Sequence, residues 1–355
     1  MSDKSVTVYD SITGTDTNQW DEVVRRCPSG SIYQTSGWLR SLEEALSLSG
    51  THAVVEKDES PVGVLPNIVA DVRLPSRVER ELPDSLTELF TELSSLGHGY
   101  GGPAIVTDEA ETLSLLLSKI REQTDGPTVL SHYVRAVDQD DVRYAAVYTE
   151  YGYRPTVKQC RRVLDLSREY EDIKSSMDKD RRYDIRKGNE RDPSVETDRL
   201  SEHDLSSFYE GYAETMQRVG ADPYPKRFFE SLGEQLGDSA KIATVHVDGA
   251  VRGRHLYLVD DFGDALRHEF SAVSADDFEY QPSEILHDRM IQWGTEHGYG
   301  EYDMGSTPAN VGDGLFKYKR QYGGDTVPVV VWEQDLSILW KLYRFARHRY
   351  RKHRT

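Results

Sequence analysis

Cysteine is nearly absent from this chain of 355 residues, which contains only Cys27 and Cys160. Two cysteines cannot form a disulfide framework or a cysteine-rich metal site, so the sequence predicts a reducing compartment and indicates no metal. Long apolar runs are also missing. No stretch approaches the roughly 18 apolar residues that a membrane span requires, and the first residues lack the apolar core of a secretion signal. We therefore expect a cytoplasmic protein.

Lysine is scarce too, since only 13 of the 43 basic residues are lysine, and the formal net charge is −18. Carboxylates keep a protein hydrated at high salt, so this acidic, lysine-poor composition favours a halophilic, salt-adapted cytoplasm. An ordinary acidic enzyme is the alternative. DNA is not expected as a partner of so acidic a chain.

The most informative segment runs from Tyr280 to Gly324. Apolar residues recur there at three- and four-residue steps, which predicts an amphipathic helix over residues 283–297. Ser283 stands where an N-cap belongs, and Gly298 where the chain leaves the helix. A short strand, Glu301 to Met304, and a lysine-bearing turn follow.

Four motifs in the same order resemble the FemABX-like transferases, tandem-domain relatives of the GNAT acyltransferases that include the BioF2-like acetyltransferase group. They are SIYQTSGWLRSLEEAL at residues 31–46, HGYGGPAI at 98–105, RVLDLSREYEDIKSSMDKDRRYDIRKG at 162–188, and GYGEYDMGS followed by YKRQYGG at 298–324. The resemblance spans residues 31–331 and implies an acyltransferase.

The fold class expected from this resemblance is α/β (α+β), with two tandem GNAT-like mixed-sheet domains and flanking helices. We place them at residues 1–155 and 156–335, with a basic C-terminal helix or tail at 336–355. A short internal echo agrees with duplication: TEYGY at 149–153 is repeated as TEHGY at 295–299, each time between a predicted helix and a predicted strand.

Lys319 and Asp303 are the candidate catalytic residues. A fixed ammonium can neutralise charge that builds on a carbonyl oxygen or phosphate, and the resemblance places the lysine of YKRQYGG at the site. A solvated surface lysine is the alternative. Asp303, at the end of the short strand, is suited to accept an amine proton or to hold the acceptor. It is equally suited to cap the next turn or pair with an arginine.

Arg182 and Arg186 share one face of a basic helix, where two guanidinium groups can grip a phosphate. Pairing with acidic neighbours is the alternative. The resemblance implies a substrate-facing role for both, and the N-terminal motifs add Gln34, Trp38 and Tyr100 as substrate-binding candidates.

The donor site is predicted at the start of the 283–297 helix, with Gln281, Ser283 and Glu284. Acyl-CoA-binding GNAT domains have glycines before this helix, and here the chain reads YQPSE, without glycine. Close approach of the backbone to a pyrophosphate is harder without glycine. Acyl-CoA, such as acetyl-CoA, and aminoacyl-tRNA therefore remain alternative donors.

The tail KLYRFARHRYRKHRT, residues 341–355, has seven Lys/Arg and no acid. Such a tail is suited to bind an anionic membrane surface, which would put the protein at the inner membrane face, or to bind RNA. The alternative is a last helix that docks on the acidic body of its own chain. We expect an N- or O-acyltransferase acting on a small-molecule or glycan acceptor, for example a cell-surface or lipid-linked precursor. An aminoacyl-tRNA-dependent transferase and a catalytically silent binding module of the same fold are the alternatives.

Overall fold

A computed structural model describes residues 4–71, 90–95, 99–124, 128–136, 139–337 and 340–341. The chain divides into two compact units. Unit 1 comprises the residues up to Val157 and those from Val329 onward, and unit 2 comprises Lys158–Pro328. The predicted tail at 341–355 lies outside the described residues apart from Lys341. Among the described residues, no helix is long and apolar enough to cross a membrane.

Unit 1 is built from two sheets and the helices that pack on them. Its strands are β1 (Lys4–Tyr9), β2 (Ser49–Gly50), β3 (His52–Lys57), β4 (Ser60–Leu65), β5 (Ile68–Asp71), β6 (Thr91–Ser94), β7 (Ala104–Ile105) and β8 (Val129–Arg135). Its helices are α1 (Thr17–Arg26), α2 (Ser36–Leu46), α3 (Glu109–Gln123) and α4 (Ala145–Glu150). One sheet has the order β1-β3-β4-β7, and the other includes β8-β6-β5-β2.

Unit 2 is a mixed sheet with helices after most of its strands. Its strands are β9 (Arg154–Asp165), β10 (Ser194–Arg199), β11 (Ala240–Val247), β12 (Ala250–Asp260), β13 (Ala265–Ala272), β14 (Glu301–Pro308) and β15 (Asp325–Asp335). Its helices are α5 (Tyr170–Ser176), α6 (Lys179–Asn189), α7 (Leu205–Arg218), α8 (Lys226–Leu236), α9 (Pro282–Glu296) and α10 (Gly314–Arg320). The strand order is β10-β11-β12-β13-β14-β9, and β9 and β15 each begin in one unit and end in the other.

Each unit contains one parallel strand pair with a helix in the connection. In unit 1, β6 and β8 are parallel and α3 lies between them in sequence. In unit 2, β13 and β14 are parallel and α9 lies between them. All other pairs described in the two units are antiparallel, as expected where hairpins connect strands. The mixed-sheet α/β fold predicted from the sequence is therefore confirmed.

The repeated TE-x-G-Y motif is a repeated helix cap. Gly152 and Gly298 have φ of +84° and +80°, which an L side chain rarely adopts. The following tyrosines, Tyr153 and Tyr299, donate their N–H to the carbonyl five residues earlier, at 2.9 Å and 3.1 Å. This is the Schellman pattern. The motif ends α4 in one unit and α9 in the other, whereas the helices inside the two parallel connections are α3 and α9. The echo thus reports a shared local cap rather than equivalent positions.

One predicted helix boundary was wrong. Ser283 is not the N-cap of α9: Gln281 is, with φ +56°, and Pro282 takes the first helical position, where its fixed φ suits the helix and its missing N–H costs nothing. The basic helix, α6, begins at Lys179, and residues 170–176 form the separate helix α5. Met177 and Asp178 are extended between the two helices, because Met177 packs in the core and the Asp178 N–H donates to the Gln321 carbonyl at 2.9 Å.

Candidate active site

The regular pairing between β13 and β14 is short. It runs from Ala265 opposite Glu301 to Arg267 opposite Asp303, and β14 has an irregularity just after Asp303. Gly305 lies in this irregular stretch with φ +76°, and a Cβ there would lie 3.0 Å from the His268 carbonyl oxygen. Only glycine fits such a close approach. The interruption leaves backbone groups of β14 for side chains to contact.

Lys319 uses this opening. It lies on α10, whose first turn is fixed because the Asp313 carboxylate accepts the Phe316 N–H at 2.9 Å. The Lys319 Nζ donates to the Ser306 carbonyl at 2.9 Å, and the residue is only 8% exposed. Burial lowers the pKa of Lys319 from 10.5 to about 8, while Asp303 acts in the opposite direction. The side chain is therefore a buried ammonium at neutral pH beside β14, and it lies on a helix rather than on the turn that the sequence predicted.

Asp303 is held by two arginines. Its Oδ2 accepts from Arg161 at 2.7 Å and from Arg267 at 3.0 Å, and its Oδ1 accepts the Gly305 N–H at 2.8 Å. Burial alone would raise the pKa of this carboxyl, but the two guanidinium groups hold it below its ordinary value. These contacts match the alternative in which Asp303 caps the next turn and pairs with arginine. Asp303 fixes the irregular turn of β14 and contributes negative charge near Lys319.

Arg181, which sequence reasoning passed over, is the buried arginine of the basic helix. Its guanidinium contacts the Glu284 carboxylate and donates to the Gln321 Oε1 at 2.6 Å. It also lies 4.5 Å from the ring centres of both Tyr318 and Tyr322, in cation–π geometry. It thereby ties α6 to α9 and to the helix that bears Lys319. The only available signal was its spacing, four residues before the buried Ile185.

Arg182 and Arg186 lie on the exposed face of α6 instead. Arg182 donates to the Ser175 carbonyl at 2.7 Å, and Arg186 is 3.8 Å from Glu190 with its side chain 68% exposed. Tyr183, between them, is 54% exposed. The structure therefore does not place these two arginines beside Lys319, but it forms a basic surface with an exposed aromatic ring. We call Arg182, Tyr183, Arg186 and Lys187 the α6 patch.

The first turn of α9, the predicted donor site, is covered by other side chains. Gly188 of α6 lies so close that a Cβ on it would be 3.2 Å from the Gln281 Cβ. Ser283 Oγ is 3.3 Å from the His255 Nε2, and Glu284 is the partner of Arg181. The three predicted donor residues therefore lie together, with each engaged by or packed against its own unit.

Three histidines that the sequence did not single out meet next to this turn. They are His255 of β12, His268 of β13 and His287 of α9, with ring centres 4.5 to 4.9 Å apart. Burial lowers the pKa of His255 to about 3 and that of the other two well below 6.5. All three imidazoles are therefore neutral at pH 7. Their separations of 13 and 19 residues match no short motif, so only the fold reveals the cluster.

The substrate-binding candidates in unit 1, Gln34, Trp38 and Tyr100, are buried and contact other residues of unit 1. Gln34 accepts the Ser31 N–H at 2.9 Å and donates to the Gly102 carbonyl at 3.1 Å. Tyr33 packs edge-on against both Trp38 and Tyr100, with ring centres 5.0 Å and 5.5 Å apart. The two N-terminal motifs therefore contact each other, and their candidate side chains are buried within unit 1. No contact with a substrate follows from this packing.

Comparison with known proteins finds a family match that lies within unit 2. The sequence profile of the acetyltransferase (GNAT) domain matches residues 175–320. Residues 175–320 are therefore similar to a GNAT-type acetyltransferase domain. None of the curated proteins compared with the sequence matches it.

Solved structures extend the likeness over the whole chain. FemX superposes with a TM-score of 0.71 at 15% identity, covering 93% of this chain and 98% of its own. A tandem GNAT protein from the clavulanic acid biosynthesis pathway gives 0.56 at 12% identity, covering 94% and 99%. The C-terminal domain of a putative lysylphosphatidylglycerol synthetase from Agrobacterium fabrum gives 0.58 at 13%, covering 92% of each. At these identities the likeness concerns the fold. Together with the domain match, it supports a FemABX-like GNAT family, as the motifs indicated.

Proposed function

We propose that unit 2 transfers an acyl group to an amine or hydroxyl acceptor, with Lys319 as the charged group at the reacting carbonyl. The observation that carries this proposal is the buried ammonium of Lys319 beside the interrupted part of β14. A buried cation costs free energy unless it serves an interaction, and its low-dielectric surroundings strengthen its effect on a developing negative charge.

The reaction needs little more from the protein. The acceptor nitrogen or oxygen forms a bond to the acyl carbon, negative charge builds on the carbonyl oxygen, and the bond to the leaving group then breaks. The acceptor loses its proton and the leaving group gains one. Lys319 stabilises the charged oxygen, and the rigid strand and helix that hold it supply orientation, which is worth much of the rate in such reactions. Asp303, already held by two arginines, favours the charged form of the lysine.

An aminoacyl-tRNA donor fits unit 2 better than acyl-CoA does. A pyrophosphate at the first turn of α9 would need free backbone N–H groups and close approach, but Gly188, Glu284 and Arg181 cover that turn. The α6 patch instead offers exposed guanidinium groups and an exposed ring, which suit phosphates and a stacked base. It is a local basic surface on a chain of net charge −18.

A donor-binding experiment tests this choice. Fluorescence anisotropy should show binding of labelled aminoacyl-tRNA that weakens steeply with salt, and calorimetry should show no binding of acetyl-CoA. The Arg182→Ala/Arg186→Ala double variant should bind tRNA at least about tenfold more weakly. With two fewer phosphate contacts, fewer counterions are released when the tRNA binds, so the favourable free energy of that release is smaller. A matched control is Arg25→Ala/Arg40→Ala, which removes two exposed, glutamate-paired arginines of unit 1. Tight acetyl-CoA binding with no tRNA binding would reverse the choice of donor.

Transfer itself is tested separately. Each donor is incubated with small amines and glycan precursors, and acylated products are detected by mass spectrometry. Product formation that is lost in Lys319→Met supports the proposed function. Product formation that does not change in this variant would move the reaction away from Lys319. Donor binding without any product would favour the silent binding module.

A further inference from the structure

The cluster of His255, His268 and His287 has a feature that packing alone does not require. One ring nitrogen from each can be chosen so that the three atoms all lie within 4.8 Å of one another. The three rings come from two neighbouring antiparallel strands and from the helix packed over them. Zn–N bonds are about 2.0–2.1 Å long, so two nitrogens on one ion lie at most about 4.2 Å apart. The three rings would therefore move slightly closer together when they form one face of a coordination site.

Oxygen atoms also hold the rings in place. The Nδ1 atom of His287 lies 2.5 Å from the Tyr302 hydroxyl, and that of His255 lies 3.2 Å from the Tyr257 hydroxyl. The His268 ring donates a hydrogen bond to the Met304 backbone carbonyl. Histidines that bind metals characteristically give their second nitrogen to such an oxygen, which fixes the tautomer and the direction of the ring.

The Nε2 atoms of two of the rings have only weak, neutral partners. His255 Nε2 lies 3.3 Å from the Ser283 hydroxyl, and His268 Nε2 lies 3.1 Å from the Ser271 hydroxyl. Hydroxyl rotors can turn away at little cost, since they accept as well as donate. We propose that His255, His268 and His287 form a binding site for a divalent transition-metal ion of the zinc class. Three protein ligands leave a further coordination position for water or another small ligand.

Charged groups around the cluster set how tightly the ion is held. Arg181 acts on His287, but it is paired with Glu284. Lys319 acts on both His268 and His287, and its Nζ is bonded to a neutral carbonyl. Lys319 therefore opposes a dication more than Arg181 does. Lys319→Met should tighten metal binding by at least about tenfold, because it removes a buried positive charge near the ion.

Titration with Co²⁺ and Zn²⁺ tests the site in the full chain. After treatment with a chelator and its removal, Co²⁺ should bind with one equivalent and give visible absorption, and Zn²⁺ should displace it. His268→Gln and His287→Gln should weaken binding by at least about 100-fold, and Tyr302→Phe by about 10-fold, because it removes the supporting hydroxyl. Controls are His132→Gln, a buried histidine of unit 1, and His297→Gln, an exposed one of unit 2; neither should change the affinity.

The outcomes separate cleanly. Circular dichroism and melting without metal show whether each variant is folded, and His255→Gln replaces any variant that is not. The proposal is overturned if the folded wild-type chain binds neither ion with one equivalent at micromolar concentration. It is also overturned if folded ligand variants bind as tightly as the wild type, or if Lys319→Met weakens binding.

Discussion

Replacing Lys319 by Met is the change that tests the active site most directly. Met keeps much of the length of the side chain and removes the charge. We expect turnover to fall about 100- to 1000-fold, the usual cost of losing one well-placed electrostatic group, which corresponds to about 2.7–4 kcal/mol of transition-state stabilisation. The KM for the donor should change little, because the lysine acts on charge that develops during reaction.

The stability of the fold should barely change. The pKa of Lys319 falls from 10.5 to about 8, so its charged form costs roughly 3 kcal/mol in the folded state at neutral pH. Met removes this cost, but it also leaves the Ser306 carbonyl without the lysine's hydrogen bond, which costs about 1–3 kcal/mol. The two effects nearly cancel. A large loss of turnover without a loss of stability distinguishes a catalytic lysine from a structural one.

Steady-state kinetics and urea unfolding at neutral pH measure both quantities, and Lys317→Met is the matched control. Lys317 is exposed on the same helix, two residues earlier, so its loss should leave turnover unchanged. Wild-type turnover should also decrease as the pH rises through about 8, because Lys319 then loses its proton. Turnover in Lys319→Met within a few-fold of wild type, or a rate that increases above pH 8, would refute the role of the charged lysine.

Three further changes test the framework. Arg181→Met should lower the free energy of urea unfolding by about 3 kcal/mol, because it leaves the partly buried Glu284 carboxylate without its partner; a loss below about 1 kcal/mol would contradict this. Burial lowers the pKa of His132 to about 3, so the unfolded chain alone takes up its proton below pH 6.5 and stability falls with the pH; His132→Gln should flatten that dependence by about 1.4 kcal/mol per pH unit between pH 6 and 4, and identical slopes would count against it. Gly152→Ala and Gly298→Ala should each cost about 1 kcal/mol in thermal unfolding, since both glycines have positive φ and neither site is crowded: a Cβ on Gly152 would lie 3.6 Å from the Gln334 Nε2, and one on Gly298 would have no atom within 4 Å. Clearly unequal losses would argue against a common cap.

Local chemistry was enough to predict several parts of this protein. Gly298 ends α9 where the sequence placed the end, because a positive φ after a helix is a requirement of a few neighbouring residues. The mixed α/β class followed from the family resemblance that the four motifs carry. Lys319 was selected from its motif, but the sequence predicted it on a turn, whereas the structure places it on helix α10 beside β14.

Tertiary packing decided which members of each chemical class are buried. Arg181 rather than Arg182 is buried in unit 2, because its guanidinium contacts Tyr318, Tyr322 and Glu284. These three residues are far from Arg181 in the sequence, and only the fold brings them close to it. Asp303 likewise accepts hydrogen bonds from Arg161 and Arg267, which are distant in sequence and are brought close to it by strand pairing.

The histidine cluster was decided entirely by the fold. His255 and His268 are 13 residues apart in sequence, but antiparallel pairing of β12 with β13 brings them close, and α9 adds His287 when it packs over the sheet. The sequence alone predicts contacts between residues three or four positions apart, because helices and strands repeat their backbone geometry over that distance. Contacts between residues far apart depend on how strands pair and helices pack, so only the tertiary structure could bring these three rings together.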